Sequence, residues 1–421
     1  MNKNTNPWAW VSTLYYAEGI PYVLVMTVSV IMYKKLEVSN SDIALYTSGL
    51  YLPWVIKPLW SPFVDVIKTK RYWIVAMQLL IGAALAGVAF TIPTNNFLKY
   101  TLAFFWVLAF SSATHDIAAD GFYMLGLKKH QQAFFVGIRS TFYRLAMITG
   151  QGLLIILAGY LEKSLGIVEG WSITFIVVAV LMVAFGIYHQ FLLPRPEVEK
   201  KENYSANSIL KELLNTIVTF FKKDGIISML CFLLFFRFGE AQLVKMASPF
   251  LLDKPEKGGL GLSTSEVGVV YGTIGVIALV LGGILGGVVV SKKGLKYWLW
   301  WMVASINLPN AVYIFLSFVK PDSFYIISSA VAIEQFGYGF GFTAYMLYMI
   351  YIAEGPYKTS HFALCTAFMA LGMMLPGLFS GKLQELIGYQ NFFIWVVICA
   401  IPGFIAAYFI PLDSEFGKKT D

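Results

Sequence analysis

Ten ionisable side chains sit inside long apolar stretches of this sequence. They are Glu18, Lys57, Asp116, Asp120, Arg139, Arg144, Arg237, Glu240, Lys245 and Glu334. Charged groups in apolar surroundings are costly to bury, so each must face a partner, water or a solute. There they can carry protons, hold a charged ligand or latch helices together. The densest stretch is "SSATHDIAADGFY", residues 111–123, which follows the apolar "LAFFWVLAF". It sets His115 beside Asp116 and places Asp120 four residues on, where it shares a helix face with Asp116. A histidine changes charge near neutral pH when unperturbed, so His115 joins Glu18 and Asp116 as a proton-coupling candidate. The plainer reading of a lone helical histidine is a hydrogen-bonding group.

These residues need elements that hold them at depth. Of the 421 residues, 58% are hydrophobic and 13% charged, where about a quarter charged is usual in soluble proteins. The expected class is an all-α membrane protein. Twelve stretches approach the ~20 apolar residues a span needs: 8–33, 42–63, 72–92, 99–126, 131–161, 171–193, 225–252, 265–290, 296–319, 323–353, 358–382 and 389–411. A polar interruption over 194–224 divides them six and six. The expected domains are therefore a six-helix bundle over 1–193, a partly helical cytoplasmic linker over 194–224 and a second bundle over 225–421. Cys231, Cys365 and Cys399 lie in apolar runs, which argues against a disulfide framework. The N-terminal apolar stretch is broken by Glu18 and Pro21 and reads as a retained first helix rather than a signal peptide.

Basic residues set the orientation. Eighteen lysines and arginines fall on the side that carries the termini and the linker, against eight on the other. Both termini are thus expected in the cytoplasm. The net charge of +7 is this bias; spread over short loops, it is no nucleic-acid footprint. The halves also repeat weakly. "KTKRYWIV" matches "KGLKYWLW", pairing Tyr72-Trp73 with Tyr297-Trp298, and "EKSLG" matches "QELIG", pairing Gly166 with Gly388. Two parallel six-span halves with a solute site between them is a transporter architecture.

Depth, counted at 1.5 Å per residue, suggests partners. Asp116 and Arg139 fall at similar depth, roughly 12–15 Å from the cytoplasmic face, and Asp120 and Lys57 at roughly 9 Å. The expected pairs are Asp116–Arg139 and Asp120–Lys57, the second a helix latch. Arg237 is three residues from Glu240 and can neutralise it. The glycines of "GYGFGF", residues 337–342, lie inside an apolar span with no strand before them, so they read as helix packing rather than a phosphate loop. No metal or cofactor motif is present in the sequence, and His115-Asp116 is the one candidate for enzyme chemistry, so no enzyme activity is expected.

With these residues in view, the chain resembles the AmpG-type muropeptide permeases, in the peptide–acetyl-coenzyme A transporter branch of the major facilitator superfamily. The likeness covers nearly the whole chain. It is carried by "AEGIPY", "LPWVIKPLWSPFVD", "SSATHDIAADGF", "FRFGEAQLVKMASPFLL", "EQFGYGFGFTAYM" and "SHFALCTAFMALG". His115 departs from it where a glutamine is expected, and Phe122-Tyr123 stand where such permeases often carry a basic residue. In that fold spans 1, 4, 7 and 10 line the central cavity, which makes Arg237, Glu240, Lys245 and Glu334 substrate-cavity candidates; Arg139 and Arg144, core charges of span 5, are counted with them. Asp120, Lys57 and Asp65, which ends the KPLWSPFVD motif, are latch candidates. The resemblance implies a monomer in the bacterial inner membrane that imports GlcNAc-anhydroMurNAc peptides with protons for cell-wall recycling. Five core cations against five core carboxylates suit an amphoteric sugar–peptide. Other solutes (acetyl-coenzyme A, a siderophore, a sugar), drug efflux, and a membrane enzyme or channel are the competing readings.

Overall fold

The computed structural model of the protein describes residues 6–195, 206–355 and 357–419. Lys3 and the linker residues 196–205 lie outside the described residues, as does the side chain of Asp65. The described secondary structure is helical, with no strand. Its main helices are α1 (Pro7–Lys35), α2 (Asn40–Gly49), α3 (Leu52–Ile67), α4 (Lys70–Thr91), α5 (Phe97–Gly126), α6 (His130–Leu165) and α7 (Ile167–Leu192). After the linker helix α8 (Ala206–Phe221) come α9 (Ile226–Leu252), α10 (Thr264–Lys293), α11 (Leu295–Val319), α12 (Phe324–Ala353) and α13 (Lys358–Phe409). Among the described residues, nine helices are long and apolar enough to cross a membrane: α1, α4–α7, α9–α11 and α13. Large side chains such as Phe191 and Leu386 stay mostly exposed, a surface that suits lipid and not water.

Local chemistry explains where helices start and break. Ser39 accepts from the Asp42 amide at 3.0 Å to cap α2, and Thr69 accepts from the Tyr72 amide at 3.1 Å to cap α4. The stretch expected as one span over 42–63 is two helices, interrupted at Leu50–Tyr51. Its second part, α3, runs through Pro58 and Pro62 as far as Ile67. A proline removes one backbone hydrogen bond and bends a helix without ending it when neighbours hold the chain. The helix α9 is likewise interrupted at Phe236–Arg237.

The chain forms two compact units. One comprises Met1–Met32 and Ile56–Lys211; the other comprises Tyr33–Val55 and Glu212–Asp421. The end of α1, all of α2 and the start of α3 thus pack in the second unit. Glycines let them approach α13. A Cβ on Gly381 would stand 1.9 Å from the Asn40 carbonyl oxygen, and one on Gly377 2.4 Å from Ser48 Oγ. Polar contacts reinforce this face. Lys34 pairs with Asp253 at 2.7 Å, Tyr389 donates to Asp253 at 2.7 Å, and Asn40 Nδ2 donates to Gln384 at 2.6 Å.

The weak sequence repeat has a structural counterpart inside each unit. Tyr72 and Trp73 meet edge to face at 6.0 Å, with Lys68 over the Tyr72 ring. Tyr297 and Trp298 do the same at 5.6 Å, with Lys293 over the Tyr297 ring. Gly166, between α6 and α7, has φ 99° and ψ 165°, and Gly388, inside α13, has φ 75° and ψ 166°. That region of backbone space is essentially glycine-only, so each glycine turns one helix into the next. Gly166→Ala and Gly388→Ala should each destabilise the solubilised protein by about 1–3 kcal/mol. Gly287→Ala, where a Cβ meets nothing within 4 Å, should not; thermal unfolding of the three variants decides.

Candidate functional site

The site is built in the first unit, where α1, α3, α5 and α6 converge. Close packing sets it up: a Cβ on Gly19 would lie 2.7 Å from Ala146 Cβ and 3.0 Å from the Tyr143 carbonyl. That approach holds the neighbouring Tyr15 and Glu18 of α1 toward α5 and α6. Tyr15 donates to Asp120 Oδ1 at 3.0 Å and accepts from Arg139 Nη1 at 2.9 Å, while Arg139 Nη1 pairs with Asp120 Oδ1 at 3.1 Å. The guanidinium also lies 4.7 Å from the Tyr15 ring centre and 5.0 Å from that of Tyr123. Lys57 Nζ pairs with Asp116 Oδ2.

The partners are therefore exchanged relative to the sequence expectation: Asp116 takes Lys57 and Asp120 takes Arg139. The cause is the length of α3. Because it continues through Pro62 to Ile67, Lys57 stands ten residues from that end of its helix, as Asp116 does from Gly126 in α5. The two are at equal depth, and Arg139 reaches down to Asp120 with its longer side chain.

Glu18 completes the cluster. It is 8% exposed, its carboxyl lies within hydrogen-bonding reach of Asp116, and its Oε2 has no partner among the described residues. Glu18 thus stands beside two carboxyls that are already paired, Asp116 with Lys57 and Asp120 with Arg139. Two carboxylates have no donor between them, so a hydrogen bond joining Glu18 to Asp116 requires a proton.

His115 is placed differently from its neighbour. It is fully buried, and its Nε2 is 2.9 Å from Gln78 Nε2 on α4. Gln78 Oε1 in turn meets His189 Nδ1 of α7 at 2.9 Å, and His189 Nε2 meets Thr13 Oγ1 of α1 at 3.0 Å. His115 is thus hydrogen-bonded into the bundle rather than to the carboxyls. Its bond to Gln78 ties α5 to α4 on the side away from Asp116 and Lys57. Gln78, His189 and Tyr15 were not singled out in the sequence; the available signals were a polar residue inside an apolar span and a tyrosine one turn from Glu18.

In the second unit Arg237 Nε donates to Glu240 Oε2 at 2.8 Å, as its spacing implies, and Arg237 Nη2 donates to the Tyr338 hydroxyl at 2.8 Å. Arg237 sits at the interruption of α9, with φ −108°. Glu334 is buried on α12 and accepts from Gln335 Nε2 at 2.9 Å. Lys245 is fully buried on α9, and Arg144 is half-buried on α6. Among the described residues no group of three His, Cys, Asp or Glu side chains is placed to hold a metal ion.

Two outcomes follow from these contacts. Asp116→Asn strands a half-buried cation and should cost about 1–3 kcal/mol; adding Lys57→Met should recover much of it, and adding Arg139→Gln should recover less, read by thermal unfolding. His115→Gln keeps a partner for Gln78 and should unfold near the wild-type temperature, whereas His115→Leu orphans that amide at a cost of about 1–3 kcal/mol.

Comparison with known proteins places this geometry. The chain matches the Major Facilitator Superfamily over residues 13–360. It is 27% identical over 403 residues to the transporter AmpG 4 of Rickettsia conorii, covering 93% of each chain. It is 27% identical over 421 residues to the anhydromuropeptide permease of Escherichia coli K12, covering 97% of this chain and 80% of that one. In fold it is similar to the crystal structure of a D-xylose–proton symporter, with a TM-score of 0.72, 13% identity, and coverage of 98% and 99%. A bacterial homologue of the human lysosomal transporter Spinster gives 0.70 and 16%, with coverage of 97% of each chain. The chain belongs to the Major Facilitator Superfamily and is a multi-pass secondary active transporter.

Proposed function

We propose that this transporter imports anhydromuropeptides, sugar–peptides of the GlcNAc-anhydroMurNAc class, across the bacterial inner membrane with protons. The solute assignment is supported by the similarity to the Escherichia coli anhydromuropeptide permease along almost the whole chain. The observation that carries the coupling is the setting of Glu18: it lies beside Asp116, which already pairs with Lys57, while Asp120 pairs with Arg139, and one Glu18 oxygen has no partner among the described residues.

In this reading the surplus carboxyl holds the transported proton. With it, Glu18 and Asp116 share a hydrogen bond and the cluster is neutral, which favours movement through a low-dielectric state. Without it, two carboxylates face each other and one needs water or a cation. Solute binding shifts that balance, which is what coupling requires. Lys57 and Arg139 stay bound to Asp116 and Asp120 and keep those acids out of the exchange. The transporter works as a monomer with both termini in the cytoplasm, as the 18-to-8 distribution of basic residues supports.

Proteoliposomes with an imposed inward proton gradient should accumulate labelled GlcNAc-anhydroMurNAc peptide. Glu18→Gln should abolish accumulation and retain solute exchange. Accumulation by Glu18→Gln would refute the coupling. Failure of wild-type protein to take up the sugar–peptide, with uptake of acetyl-coenzyme A or a free sugar instead, would refute the solute.

A further inference from the structure

Lys245 belongs neither to the charge network of the first unit nor to the Arg237–Glu240 pair. It is fully buried where α2 lies on α9 and α13 in the second unit. Its Nζ donates to Thr47 Oγ1 at 3.1 Å and stands 5.1 Å from the centre of the Tyr51 ring. Among the described residues no carboxylate is within ion-pair distance of it. Thr47 gives its own proton to the Ile43 carbonyl at 2.7 Å, so it offers the amine a lone pair only. Beside it Ser48 Oγ is buried with no partner among the described residues. A Cβ on Gly377 would lie 2.4 Å from that oxygen and 3.5 Å from Lys245 Cγ, so the lysine stem and the orphan hydroxyl border one glycine.

A buried ammonium with one hydroxyl and one ring face for company is poorly compensated. The contrast with its surroundings is sharp: Lys34 on the same face has Asp253, and Arg237 on the same helix has Glu240. Intramembrane cations left without an anion mark solute pathways. The cover is also a discrete element. The helix α2 is ten residues long, and it is bounded by the turn after Lys35 and the interruption at Leu50–Tyr51.

We propose that Lys245 is a carboxylate-binding site for the transported solute, covered by α2 here and uncovered when α2 lifts from α9 and α13. Thr47 and Tyr51 then stand in for the anion. A single cation matches the single charge of a carboxylate; a phosphate dianion would find half its charge unmatched. The proposal rests on the transporter reading above and adds the solute group that the second unit recognises.

Two measurements test it. The first is proteoliposome uptake of GlcNAc-anhydroMurNAc peptide with free carboxylates and of the same compound with its carboxylates amidated. Lys245→Met should raise KM about tenfold for the acid, the loss of one charge-assisted contact, and leave KM for the amide within about twofold. Lys245→Arg should restore the acid. Equal shifts for both compounds, or none, overturn the site. The second needs no sugar–peptide. Amine acylation of Lys245 in the wild-type protein, read by mass spectrometry, should be slowed by N-acetyl-D-alanine and not by its amide. Equal protection, no protection, or a Lys245 that never reacts overturns the site. Wild-type protein that transports neither sugar–peptide counts against the proposed function, and the acylation result still decides the site.

Discussion

Glu18 held beside the Asp116–Lys57 and Asp120–Arg139 pairs, buried and with one oxygen unpartnered among the described residues, is the constraint that governs the rest of the molecule. Balanced pairs would make a latch that locks helices and stays put. An odd carboxyl cannot rest: it needs a proton, a cation or water, and which of these it has depends on the state of the protein. The packing serves that arrangement. Gly19 brings α1 against α6, and Tyr15 ties Arg139 to Asp120. The His115–Gln78–His189–Thr13 chain ties α5 to α4, α7 and α1. None of these contacts uses the surplus oxygen of Glu18.

The same helices link the network to the second unit by chain connectivity. Both α1 and α3 begin or end in one unit and continue into the other, at Met32–Tyr33 and Val55–Ile56. Each carries a member of the network, Glu18 on α1 and Lys57 on α3, the latter one residue past the boundary residue Ile56. Two peptide bonds separate Val55 from Lys57. Interrupted helices of this kind are where transporters concentrate their solute and ion chemistry.

Much of this was legible in the sequence because cost is legible. A charge inside an apolar run must have a partner, water or a solute, so the charged members of the network could be named from their positions in the sequence. The Arg237–Glu240 pair followed from a three-residue spacing, and the glycines of "EKSLG" and "QELIG" share one backbone conformation, as their places in the repeat imply. Partner assignment was not legible. It depended on whether Pro62 ended a helix, and it does not. Nor was the direction of His115: consecutive helical residues point about 100° apart, and sequence does not fix the rotation of a helix about its axis. Neutral hydrogen-bonding residues such as Tyr15 and Gln78 carry no cost signal strong enough to stand out. The separation of α2 from α3 escaped for a similar reason, since Leu50–Tyr51 contains neither glycine nor proline.

The central claim is that Glu18 carries a proton that the solute dislodges. Infrared difference spectroscopy of the purified protein measures this directly, because a protonated carboxyl absorbs apart from a carboxylate. Adding solute should change one protonated-carboxyl band that is absent in Glu18→Gln and retained in Glu334→Gln. A band that persists unchanged in Glu18→Gln, or that disappears in Glu334→Gln, would contradict the account.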